Sequence, residues 1–440
     1  MRSPRLPHRA FSSAAVPRIG VPTRVRAACA PLSIRPFRLH FVARLLSWTG
    51  SAVAPIGLAF AVLSLRGGAT GLGLVLAAGV VPQILLLLIG GVVADRWSRA
   101  TVMVWTNIVS AVAEVTAAGL LWTGTAKVWH LVLTSAVCGA ASAFFTPAAG
   151  GVVVEVVPPE MRHQANALLK IGQNSVKVGG PAVGGAVVAL VGPAWTIGWD
   201  AVTFVAAAAL CARIGLAPTP AKVRTGFVRD LKDGWKDFWA RRWLWPMVLQ
   251  GAVVVPVWLV GYQMLGPVYG SRYLGGAGPW GVVVSAFTGG LVLGSAVVLM
   301  WKARMVGVMV CLGTGTMALP LAAMALNAPL IVLAFATCTA GAGLALSMTM
   351  WSSLLQERIP VDRLSRIMSY STLGQVLPVP LAYVAAGPLS SVFGVRATLA
   401  AGAALIVAAV VVPLAVDQIR TLALAPAEPA EAEALVTAPR

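Results

Sequence analysis

Two acids stand inside long oily runs of this chain. Glu114 lies in VWTNIVSAVAEVTAAGLLW and Asp200 in WTIGWDAVTFVAAAALC. An ionised carboxylate in hydrocarbon costs at least about 2.5–3.5 kcal/mol on insertion scales. Glu114 is therefore expected to face other helices, to be paired or to be protonated. Either acid can carry a proton or contact a cation. The plainer alternatives are a buried structural hydrogen bond for Glu114 and a solvated place near the interface for Asp200. Lys177 is the one lysine inside such a run and away from its ends. It can snorkel to water, pair with Glu114 or attract an anion.

A second set of charges interrupts the oil at GGVVADRWSRATVM, where Asp95, Arg96 and Arg99 follow Gly91. A carboxylate at a helix N-terminus gains roughly 0.3–1 kcal/mol, and up to about 2 when partly buried. Arg96 and Arg99 can pair with Glu155, or they can simply fix topology. Gly180-Pro181-Ala182-Val183-Gly184-Gly185 places small residues four apart, which permits close helix approach, and Pro181 introduces a bend. That segment is either a packing face or a hinge.

Other chemistries find no support in the residue pattern. The four histidines are scattered over termini and loops, and the five cysteines form no CxxC pair. Neither a metal site, a cofactor site nor a catalytic cluster is expected. The formal charge of +19 is spread over short segments between oily runs, which is a topology pattern and argues against a nucleic-acid partner.

The elements that must position these residues follow from hydropathy. The chain of 440 residues is 58% hydrophobic and 11% charged, against roughly 25% charged in soluble domains. Twelve runs reach about twenty residues, the length needed to cross the bilayer. They fall at about 40–65, 70–93, 101–122, 127–151, 169–191 and 194–213, then at 244–267, 277–300, 305–326, 329–352, 367–391 and 395–416. Continuous runs of this length predict helices and exclude the alternating strands of a membrane barrel. With both termini cytoplasmic, only Arg66, Lys127, Arg272 and Arg396 of the 33 basic residues lie outside, so the positive-inside rule sets that orientation. Many tryptophans near span ends read as interface anchors, as does Arg44.

The fold class is thus all-α integral membrane, with twelve spans in two pseudo-symmetric bundles. Residues 1–38 are expected to be a basic disordered tail, 39–213 and 244–418 the bundles, 214–243 a linker carrying an amphipathic helix, and 419–440 an Ala/Pro/Glu-rich disordered tail. A shift of 202 residues superposes Gly139 on Gly341, Glu155 on Glu357, Pro158 on Pro360, Gly172-Gln173 on Gly374-Gln375 and Gly192 on Gly394. This points to a duplication of six helices.

Over about 37–418 the sequence resembles the major facilitator superfamily, and within it the bacterial branch of macrolide efflux proteins and the enterobactin exporter. Five stretches carry the resemblance: ARLLSWTGSAVAPIGLAFAVLSL, GGVVADRWSR, GAASAFFTPAAGGVVVEVVPPEMRHQANALL, GGPAVGG and DLKDGWKDFWARRWLW. The resemblance implies alternating access between the bundles. It also implies that Asp95 docks against the start of the eleventh helix, forming with Arg96, Arg99 and Glu155 a latch that breaks as the bundles rock. The chain departs from the pattern at Ser98, Ala100, Ser51 and Asn107, and the second-half counterpart of the loop motif is reduced to Trp301-Lys302-Ala303-Arg304.

The implied activity is export of a hydrophobic or amphipathic small molecule by proton antiport. The protein is expected to be a monomer in a bacterial inner membrane, with a small molecule and protons as its partners. Uptake, proton-independent exchange and a non-transporting sensor or scaffold stay open.

Overall fold

In hydrocarbon every backbone N–H and C=O must find its partner inside the chain, and a helix supplies that within each segment. The computed structural model describes residues 29–215, 241, 243–300, 305–359, 361–420 and 422. Within its helices, the side chains of residues 88, 91, 92, 94–96, 299, 300, 361–366 and 369 are outside the description. Among the described residues twelve helices are long and apolar enough to span a membrane. They are α1 (Arg35–Ser64), α2 (Gly68–Arg96), α3 (Arg99–Trp122), α4 (Val128–Val156), α5 (Arg162–Val191) and α6 (Pro193–Ala212). The second set is α7 (Leu244–Tyr273), α8 (Ala277–Met300), α9 (Val306–Ala325), α10 (Leu330–Arg358), α11 (Val361–Val376 and Val379–Phe393) and α12 (Val395–Leu414). No strand occurs among the described residues.

Several helices outrun the oily windows that predict them. α5 starts at Arg162, and α7 continues to Tyr273. Hydropathy marks where hydrocarbon ends, whereas a helix stops only where its backbone does. Pro159 opens the short turn before α5, and the helix proceeds through the polar residues Arg162, His163 and Gln164. α7 contains Pro256, which lacks a backbone donor, and its path then widens into a π-helix at Leu259–Met264. α11 breaks at Leu377, the residue before Pro378, where helical conformation is disfavoured. Near the termini, α1 is preceded by a 3-10 turn at Ala30–Ser33, Phe37 is buried against Val153 and Ala165, and Ile419 and Leu422 are buried against the second set of helices. Residues 1–28, the segment 216–240 with its amphipathic pattern, and 301–304 lie outside the described residues.

The duplication is visible in the backbone. Gly192 joins α5 to α6 at φ 94°, and Gly394 joins α11 to α12 at φ 87°, values that glycine alone adopts freely. Gly139 lets α4 approach the carbonyl of Gly79 on α2, and Gly341 lets α10 approach that of Phe287 on α8. These are the same helix pairs in each half.

Helices α1–α6 pack among themselves, as do α7–α12, and the halves meet mainly along α5–α8 and α2–α11. In the first seam a Cβ on Gly185 would lie 2.6 Å from the Ala277 carbonyl and 2.9 Å from Gly281 Cα. In the second, Gly73 and Gly387 of the two helices pack against Tyr383 and Thr70. Both seams lie at the end of the molecule away from the termini. There one apolar core joins the halves, with Leu72 and Val75 beside Trp258, Met264 and Tyr383. Toward the end that carries the termini, the cores are separate: Ala43, Met103 and Val152 in the first half, Val310, Leu354 and Val410 in the second. The halves are therefore closed together at the far end.

Candidate functional site

A cavity of about 360 Å³ opens inside the first six helices, walled by α1, α3, α4 and α6. Helical periodicity puts its polar lining in register. Arg44, Ser47 and Ser51 recur at spacings of three and four on α1, as do Asn107, Ser110 and Glu114 on α3. α4 contributes Cys138, Ser142 and Phe145, and α6 contributes Asp200 and Phe204. α1 packs chiefly on α5 and α6, and α4 on α2 and α3. The two helices touch little, and the cavity fills the wedge between them.

Glu114 and Asp200, far apart in sequence, share this cavity. Asp200 is 5% exposed. It can lie there because Gly50 faces it on α1, where a Cβ would overlap the Asp200 carboxylate. Among the described residues its carboxylate is met by Thr203, whose Oγ1 approaches Asp200 Oδ1 at 3.3 Å while also donating to the Asp200 carbonyl at 2.8 Å. Glu114 Oε1 accepts from Cys138 Sγ at 3.5 Å. Neither acid makes an ion pair among the described residues. Asn107 donates its amide to the Met103 carbonyl at 2.6 Å.

Arg44 is not the interfacial anchor that its place near the start of a span suggests. It turns into the cavity, where its guanidinium lies 4.7 Å from the Trp48 ring centre and 5.0 Å from that of Phe145. These are cation–π distances. Arg44 makes no hydrogen bond or ion pair with any described group.

The other candidates lie elsewhere. Arg99 Nε meets Glu155 Oε1 at 2.8 Å, joining α3 to α4 within one half. The guanidinium reaches Glu155 by crossing Gly151, where a Cβ would collide with it. The side chains of Gly91's neighbours Asp95 and Arg96, and those of the first turn of α11, lie outside the described residues. Lys177 is exposed and does not line the cavity of Glu114, so the structure does not bring those two together. It sits one turn before Pro181 on the stripe of α5 that meets α8. The glycine-rich segment serves two partners: Gly180 and Gly184 lie against Ala52 and Val53 of α1, while Pro181 and Gly185 lie against Gly281 of α8.

Sequence reasoning took Arg44 for an interface anchor, passed over Ser47, Ser110 and Cys138, and treated Ser51 and Asn107 only as departures. The signal for them was present: polar residues at three- and four-residue spacing within otherwise apolar helices. Trp258 of α7 is buried in a stack with Tyr262 at 4.5 Å between ring centres.

Comparison with known proteins agrees with this architecture. The family model described as Major Facilitator Superfamily matches residues 40–383. The multidrug efflux pump Tap of Mycobacterium tuberculosis is 26% identical over 406 residues, covering 89% of this chain and 96% of its own length. The uncharacterized MFS-type transporter YfiS of Bacillus subtilis is 29% identical over 132 residues, a match that spans 30% of each chain. Among solved structures, the nucleoside transporter NupG superposes with a TM-score of 0.70 at 12% identity, covering 86% of this chain and 98% of that one. A chain of twelve membrane-crossing helices whose sequence fits that family model over most of its length is a multi-pass membrane transporter, and it belongs to the Major Facilitator Superfamily.

Proposed function

We propose that the protein exports a hydrophobic or amphipathic small molecule by alternating access, driven by proton antiport. The observation that carries this reading is the cavity in which Glu114 and Asp200 stand together, neither ion-paired with a basic group among the described residues. Two uncompensated acids in a low-dielectric site can hold a proton or a cationic group, and they do not both stay ionised and empty cheaply. Binding a cation and binding a proton then compete for the same oxygens, which is the exchange an antiporter needs. Similarity to Tap, a multidrug efflux pump, supports the outward direction.

In this reading residues 39–213 and 244–418 are the two rocking bundles. The positive-inside count supports cytoplasmic termini, and the resemblance to bacterial exporters supports a bacterial inner membrane; the closed seams at Gly185–Gly281 and Gly73–Tyr383 then face outward. Asp95 and Arg96 act as the inner latch between the bundles, with the Arg99–Glu155 pair holding α3 to α4 behind it, Gly180, Pro181, Gly184 and Gly185 let α5 rock against its neighbours, and the working unit is a monomer.

The test is ethidium accumulation in cells with and without the protein, each with and without a protonophore. Expression is expected to lower ethidium accumulation, and the protonophore to abolish the difference. E114Q and D200N are expected to lose it as well. Export indifferent to the protonophore would remove proton coupling from the reading, and export unaffected by both substitutions would remove the acids.

A further inference from the structure

The same cavity carries an unmatched positive charge as well as unmatched negative ones. Arg44 has five N–H donors, and among the described residues its guanidinium faces the Trp48 and Phe145 rings and makes no hydrogen bond. A desolvated guanidinium is stable when its donors find acceptors, yet no described carboxylate lies within 4.0 Å of it. The acids of the cavity are no substitute. Asp200 lies against Gly50, six residues beyond Arg44 on α1, so a rise of 1.5 Å per residue separates the two levels by about 9 Å. Along α1, then, Asp200 stands at one level of the cavity and Arg44 at another; Trp48 and Phe145 lie against the guanidinium, and Phe204 also lines the cavity.

Resting on the reading that this cavity holds the transported molecule, we infer that it takes a two-ended ligand: an amphipathic amine bound at Glu114 and Asp200, whose far end is an anionic or strongly hydrogen-bond-accepting group that satisfies Arg44. The aromatic walls take the apolar body between the ends. A fork-shaped, always-charged donor set suits a planar acceptor such as a carboxylate. This is a narrower class than lipophilic cations in general. A permanent cation with no acceptor would use one end of the site only.

The test is equilibrium binding to the full-length protein in lipid nanodiscs, with three forms of one rigid scaffold. Norfloxacin presents an amine and a carboxylate at opposite ends of an aromatic bicycle. Its methyl ester weakens the acid end, and its N-acetyl derivative removes the amine. Wild-type protein is expected to bind norfloxacin at least tenfold more tightly than either capped form. R44Q is expected to weaken norfloxacin more than the ester and so reduce the preference over the ester to under threefold, and R44K to retain it. D200N is expected to reduce the preference over the acetylated form. Equal binding of all three probes by the wild type, binding of none, or uniform weakening of all three by R44Q would each overturn the inference. Protonophore-sensitive ethidium export without any end preference would overturn it while leaving the export reading standing. Loss of that export would defeat the export reading itself.

Discussion

Asp200 is the residue whose replacement discriminates most sharply between a structural and a working role. An ionised aspartate at mid-helix costs about 2.5–3.5 kcal/mol on insertion scales. The structure returns little of this. One hydrogen bond from Thr203, long at 3.3 Å, is the sole direct support, and no basic group pairs with the carboxylate among the described residues. Such a bond contributes about 1 kcal/mol net, which leaves roughly 1.5–2.5 kcal/mol uncompensated. Asp200→Asn keeps the shape, the fit against Gly50 and an acceptor for Thr203. After allowing for the amide's own desolvation, the substitution is expected to stabilise the protein by about 1–2 kcal/mol and to abolish export, a trade of stability for function that strained sites commonly show. Denaturant or thermal unfolding of purified protein, set beside ethidium accumulation, reads both quantities. A destabilised D200N protein would mean that the carboxylate is a structural partner, and a stabilised D200N protein that still exports would mean that the cavity is not where the work is done.

Other expectations follow from the seams and the ion pair. Gly185→Val places atoms where the Ala277 carbonyl and Gly281 Cα already stand at 2.6 and 2.9 Å from a Cβ. It should hold the far end open, seen as a longer distance between spin labels on α5 and α8, and an unchanged distance would remove the seam from the gating scheme. Arg99 and Glu155 are about one-fifth exposed, at 23% and 18%, so a double-mutant cycle on unfolding should yield only about 0.5–1 kcal/mol of coupling. A value near zero would mean that the pair adds nothing to holding α3 against α4.

Part of this was legible in the residues alone. Membrane class and helix number followed from run length, since an apolar stretch of twenty residues has few other places to go. Glu114 and Asp200 stood out because an acid in oil is costly. Their meeting was not legible, because α3 and α6 are joined by helix packing that hydropathy does not encode. Arg44 misled for a related reason. Its position along the helix suggested an interface, whereas which way a side chain faces depends on the neighbours of α1, here Trp48 and Phe145. The two-sided use of the glycine segment was likewise hidden. Gly184 and Gly185 are adjacent in sequence, yet a helical step of about 100° sends one toward α1 and the other toward α8. The π-helix of α7 had no sequence signature beyond the nearby Pro256.

The residues that line the cavity all belong to one group of six helices rather than to both sides of the seam. In the exchange proposed above, a passenger seated there would keep the same handholds when the two groups tilt, and only the compartment it looks out upon would change. Equal grip in both postures cannot bias a tilt. The proposed cycle would then take its direction from a change in the charge of the seat itself.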